Sequence, residues 1–117
     1  MVSAHTQDDV DEVAAVTGVL LAYHPTAQRD ASRAVVTSGF VCSPGAPGSG
    51  AVRVGHRCPF PTVLNGRDFP EVAAEEFVFT SAYADLLRNH GWTVRDVSTT
   101  RPCLLVARST APAQSRK

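Results

Sequence analysis

Isoleucine is absent from this chain, and lysine occurs once, at Lys117, beside ten arginines. No folding rule demands either bias, and valine is abundant. A very GC-rich genome does demand it, because Ile and Lys codons are AT-rich. The composition therefore points to a high-GC bacterium or to one of its phages or plasmids. Cysteine is scarce and odd in number, at Cys42, Cys58 and Cys103, so any disulfide would leave one thiol over. No apolar run reaches the ~18 residues of a membrane span. The sequence opens acidic and polar, without the pattern of a secretory leader. A reduced, cytoplasmic protein without a membrane partner is expected. Neither sign of charge dominates, with eleven basic and eleven acidic side chains. No global field then pulls the chain onto nucleic acid or anionic lipid. The same balance limits solubility near neutral pH and favours a partner or self-association.

At 117 residues the chain is long enough for one domain with a core of its own. That domain is expected over 1–109, followed by a disordered, polar and basic tail over 110–117. Residues 1–5 read as loose, with Thr6 as N-cap of a helix that runs to about Tyr23 on Val10, Val13, Thr17, Leu20 and Leu21. Pro25 reads as the start of a short second helix to about Ser38, with Gly39 behind it. Phe40–Ser43 and Ala51–Arg57 read as strands around the loop 44–50. In the second strand Val52, Val54 and His56 alternate with Arg53, Gly55 and Arg57. Residues 58–70, with three prolines and Asn65-Gly66, read as a long irregular connection. Glu71–His90 is the strongest helix, with a core stripe over Phe77–Leu87, and Gly91 stops it. Trp92–Val97 and Cys103–Arg108 form a final hairpin.

A helix ended by glycine, an aromatic at once, then two strands: the pattern occurs at Phe40 and again at Trp92. The expected fold class is α+β. Two αββ units share one four-stranded, mostly antiparallel sheet with helices on one face. Such an order is a circular permutation of the ferredoxin-like βαββαβ pattern, or the units pack by a pseudo-twofold.

Chemistry-bearing residues are sparse. Zinc asks for four converging thiolate or imidazole donors, usually in two close pairs. His56 and Cys58 could chelate as i and i+2 of an extended segment, but Cys42, His24 and His90 supply no close second pair. No metal and no cofactor are expected. Cys58 with His56 as base would need a third group to orient the histidine, and none is identifiable. Gly45–Gly50 runs from strand to strand without a Lys-Ser/Thr pair, so it is a hairpin loop and not a phosphate cradle. Arg53, Arg57 and Arg95 fall on strands and would make a basic patch if they share the open face of the sheet. Phe60, Val63, Leu64 and Phe69 are apolar in a stretch whose prolines forbid a central strand. They must either fold back on the core or face a partner.

The run from Tyr83 to Arg108, Y-A-D-L-L-R-N-H-G-W-T-V…C-L-L-V-A-R, resembles the ending of short uncharacterised proteins from actinobacterial plasmids, integrative elements and phages. The resemblance implies no activity and no functional residue. The expected function is therefore that of a non-enzymatic accessory or regulatory protein of a mobile element. It would act by binding another protein or a second copy of itself. The alternative is a small nucleic-acid-binding module that uses the arginine-bearing sheet face.

Overall fold

A computed structural model describes residues 3–62 and 66–108. The element order is α1 (Ser3–Leu21), β1 (Gln28–Arg29), β2 (Val35–Thr37), β3 (Gly39–Pro44), β4 (Val52–Arg57), α2 (Phe69–Asn89), β5 (Trp92–Asp96) and β6 (Leu104–Arg108). The fold is α+β. β3, β4, β6 and β5 form, in that order, one fully antiparallel sheet against which both helices pack. The second strand of each αββ unit lies at the centre and the first at an edge. The two units are thus arranged about a pseudo-twofold between β4 and β6, an order that agrees with a permuted ferredoxin-like sheet.

The core lies where the strand alternation points inward. Phe40, Val52, Val54, Trp92, Val94, Leu104 and Val106 meet Val16 and Leu20 of α1 and Tyr83, Ala84 and Leu87 of α2. Trp92 follows Gly91, whose φ of 89° is the left-handed value that favours glycine after a helix. Asp68 caps α2 by accepting from the Glu71 backbone N–H at 2.9 Å, and Glu71 Oε1 accepts from the Asp68 N–H at 3.0 Å. That capping box starts the helix two residues before the sequence expectation.

Three expectations are corrected. The helix expected over 25–38 is instead a small hairpin of β1 and β2. Asp30 Oδ1 accepts from the backbone N–H groups of Ser32 and Ala34, and Arg33 takes a φ of 73°. That local bonding competes with a helix, and the β-branched run Val35–Val36–Thr37 favours strand. Pro25 opens an extended strip beside β3, its carbonyl accepting from Phe40 N–H at 3.1 Å. α1 begins at Ser3, so Thr6 lies inside it and not at its cap. The apolar stripe of α2 is narrower than expected, because Phe77 and Val78 are exposed and Phe79 is partly so. Residues 109–117, Val63 and Leu64 lie outside the described residues.

β4 pairs with β6 only from Val52 to Val54, although it pairs with β3 along its full length to Arg57. The last half of β4 therefore diverges from the β5–β6 hairpin. The gap opens toward the first turns of α2.

Candidate functional site

The gap is a groove of about 620 Å³. Its walls are the β1–β2 hairpin, the segment leaving β4, the start of α2 and the turn before β6. Among the described residues, Arg29, Arg33, Arg57 and Arg101 line it against a single carboxylate, Glu76. Glu76 is buried and bound by Arg101, whose Nε donates to Oε1 at 3.1 Å and whose Nη2 donates to Oε2. This bond raises the Arg101 pKa, and the pair is a fixed wall rather than a free anion. Arg57 folds back over Gly55, where a Cβ would come within 2.8 Å of its guanidinium. Arg57 Nη1 donates to the carbonyls of His56 at 2.9 Å and Pro102 at 3.4 Å. Burial, reinforced by the charge of Arg101, lowers the Arg57 pKa.

The apolar side of the mouth is an aromatic pair. Phe60 and Phe69 meet edge to face with centroids 5.4 Å apart, and they remain 71% and 61% exposed. Two large exposed aromatics beside each other make an apolar surface of the kind that interfaces use. Phe60 and Phe69 thus face outward and do not fold back on the core; Val63 and Leu64, grouped with them in the sequence, fall outside the described residues.

Of the three strand arginines, Arg53 and Arg95 do share the open sheet face. The register puts both opposite Leu105, and Ser43 continues the same row across β3. Arg57 belongs to that face by alternation, but its guanidinium is turned to the groove. The same face offers Val41, Thr93 and Ala107, and no aromatic among the described residues, so it lacks the platform on which bases stack.

Behind the groove lies a polar cluster on the inner side of β4. His56, 3% exposed, is stacked on Phe79 with centroids 4.5 Å apart. Its Nδ1 is 2.6 Å from Tyr83 Oη, and its Nε2 is 2.7 Å from Glu75 Oε2. A neutral imidazole with its proton on Nε2 fills both bonds, donating to Glu75 and accepting from Tyr83. Arg67 Nη1 lies 2.7 Å from the other oxygen of Glu75. Cys58, at the start of the irregular connection, is buried at the edge of this cluster, bonded to Glu75 and Ser38. Burial, opposed by Ser38 and helped by Glu75, pushes its thiol up to about 11. Burial also acts to raise the Glu75 pKa, but bonds from His56, Arg67, Cys58 and Ser38 outweigh it and hold the carboxyl down to about 2. Burial, helped by nearby Cys58 and Glu75, raises the Tyr83 pKa.

This arrangement does not activate a nucleophile. Both imidazole nitrogens are taken by other groups, and the thiol is bonded to the Glu75 carboxylate, which works against its ionisation. Cys42 borders the core, whereas Cys103 belongs by alternation to the outer face, 4.0 Å from Arg53 Nη1. The cluster does bring donor atoms of His56, Cys58 and Glu75 within 4.8 Å of one another. Glu75 is the member that sequence spacing cannot supply, because seventeen positions separate it from Cys58. Gly45–Gly50 is a hairpin loop, tied to α1 by Asp9, which accepts from the N–H groups of Gly48 and Gly50. No helix among the described residues is long and apolar enough to cross a membrane. Comparison of the chain with protein-family models, with curated proteins and with solved structures gives no match.

Proposed function

We propose that this chain is a non-catalytic binding module and that it holds an acidic segment of a partner protein in the groove. The observation that carries this reading is the exposed Phe60–Phe69 pair at the mouth of a cleft lined by four arginines and one buried, already paired carboxylate. An apolar side chain of the segment would sit against the two rings. Its carboxylates would meet Arg29 and Arg33 at the hairpin rim, where arginine gives planar, charge-assisted bonds. Aromatic and arginine side chains are the ones that carry most binding energy at interfaces. Cytoplasmic location and an accessory or regulatory role in a mobile element rest on composition and on the resemblance of Tyr83–Arg108. The second reading, nucleic-acid binding on the open sheet face, is favoured by the Arg53–Leu105–Arg95 row alone.

A random peptide library displayed on phage and selected on the purified protein tests the first reading. Enriched peptides should combine Asp or Glu with an aromatic or large aliphatic residue. Their binding should be lost in Phe60→Ser and in Phe69→Ser at unchanged melting temperature. Selection without acidic preference, or binding indifferent to both substitutions, would refute it. A second copy as the occupant would show as a dimer in sedimentation that Phe60→Ser dissociates. Salt-sensitive binding of single-stranded DNA or RNA, abolished by Arg53→Ala with Arg95→Ala, would favour the second reading.

A further inference from the structure

The geometry points to a divalent metal site of zinc type made by His56, Cys58 and Glu75, behind the proposed docking groove, whose wall includes Cys58. An imidazole, a thiol and a carboxylate converge from β4, its exit and α2, with donor atoms all within 4.8 Å of one another. Donors around a shared zinc ion sit roughly 3.5 Å apart, given bonds of about 2.0–2.3 Å. A contraction of about an ångström would therefore close the set. Nitrogen, sulfur and oxygen together suit zinc rather than magnesium or calcium, which prefer oxygen alone.

The groups around the three donors are those that a metal site needs. A ligating histidine uses its second nitrogen in a hydrogen bond that fixes the ring. His56 Nδ1 has Tyr83 Oη at 2.6 Å for that purpose. With Nε2 on the ion, the imidazole proton lies on Nδ1 and donates to the tyrosine oxygen, which can accept as readily as it donates. A ligating carboxylate is likewise held by its free oxygen, and Arg67 lies 2.7 Å from that oxygen of Glu75. Phe79 stacks on the imidazole and fixes its plane. Charge also balances, since neutral His56, thiolate Cys58 and carboxylate Glu75 offset a divalent cation. The thiol proton is released to solvent as the sulfur–metal bond forms. Three protein donors leave the fourth tetrahedral position to water or to another small donor. This conclusion departs from the metal-free expectation, which lacked a third ligand for His56 and Cys58.

The test is a cobalt(II) titration of the full chain after dialysis against chelator. Cobalt reports a thiolate ligand by a charge-transfer band in the near ultraviolet. One equivalent should saturate the band, zinc should abolish it, and Cys58→Ala should lack it. Cys42→Ala and Cys103→Ala should keep it. No band in the wild type, or a band that survives Cys58→Ala, would overturn the proposal. If Cys58→Ala does not fold, the wild type still decides. Zinc should then slow alkylation of Cys58 at least tenfold relative to Cys42 and Cys103. Equal alkylation of Cys58 with and without zinc would overturn the site.

Discussion

Tyr83 Oη and His56 Nδ1 lie 2.6 Å apart with both residues out of solvent, Tyr83 at 0% and His56 at 3% exposure. The bond joins α2 to the diverging half of β4. It therefore stands between the core and the groove. Tyr83→Phe keeps the ring and deletes the hydroxyl, leaving a buried imidazole nitrogen without its partner. The expected cost is about 1–3 kcal/mol, read from urea unfolding of the variant against the wild type. A change within a few tenths of a kcal/mol would mean that the bond is not formed in solution.

Glu75 gives the fold an acid sensitivity. Its carboxyl ionises at about 2 in the folded chain, against an ordinary carboxyl value of 4.5. A folded pKa below the unfolded one means stability that is fully present above about pH 4.5. It is lost as the pH falls through the range toward 2. The component is on the order of 3 kcal/mol. Unfolding free energies of the wild type and Glu75→Gln, measured from pH 6 to pH 2 in chelator, should converge as the pH falls. Parallel curves would contradict the assignment.

Gly39 is required by a backbone contact. A Cβ there would lie 2.3 Å from the carbonyl carbon of Thr26 and 2.4 Å from the nitrogen of Ala27. Neither is a side chain that can swing away. Gly39→Ala should push the 25–27 strip off β3 and cost about 1–3 kcal/mol or more. The amide of Ala27, which donates to Phe40 O at 2.9 Å, should lose hydrogen-exchange protection. Unchanged protection would show that the strip does not rest on β3.

Trp92 is 9% exposed and carries the Arg108 guanidinium 4.9 Å from its ring centroid. Trp92→Ala should cost about 3–5 kcal/mol, the range for a large aromatic that leaves a cavity. As the only tryptophan, it should emit at short wavelength and resist quenchers. Red-shifted, freely quenched emission would contradict its burial.

Much of the sheet was legible in the sequence because period-2 alternation is local. Val52, Val54 and His56 against Arg53, Gly55 and Arg57 is one such signal, and Gly91-Trp92 marks the turn into β5. The hairpin at 28–37 was hidden because the apolar spacing after Pro25 suits a helix. What decided against helix was the Asp30 side chain and the φ of Arg33, which only a folded backbone displays. The outward aromatics were half legible: the prolines around Phe60 excluded a central strand, but not a return to the core. The polar cluster was legible only as His56 and Cys58. Glu75 and Tyr83 join them by the packing of α2 on β4, a contact with no sequence spacing of its own.

The most direct test of the docking account is an NMR titration of the ¹⁵N-labelled full chain with the acidic peptide pool selected on phage. Shift changes should concentrate at Phe60 and Phe69, at Arg29, at Arg33 to Val35 and at Thr100 and Arg101, residues that wall the groove. Changes that spare these residues and follow Arg53, Arg95 and Leu105 across the open sheet face would contradict the account.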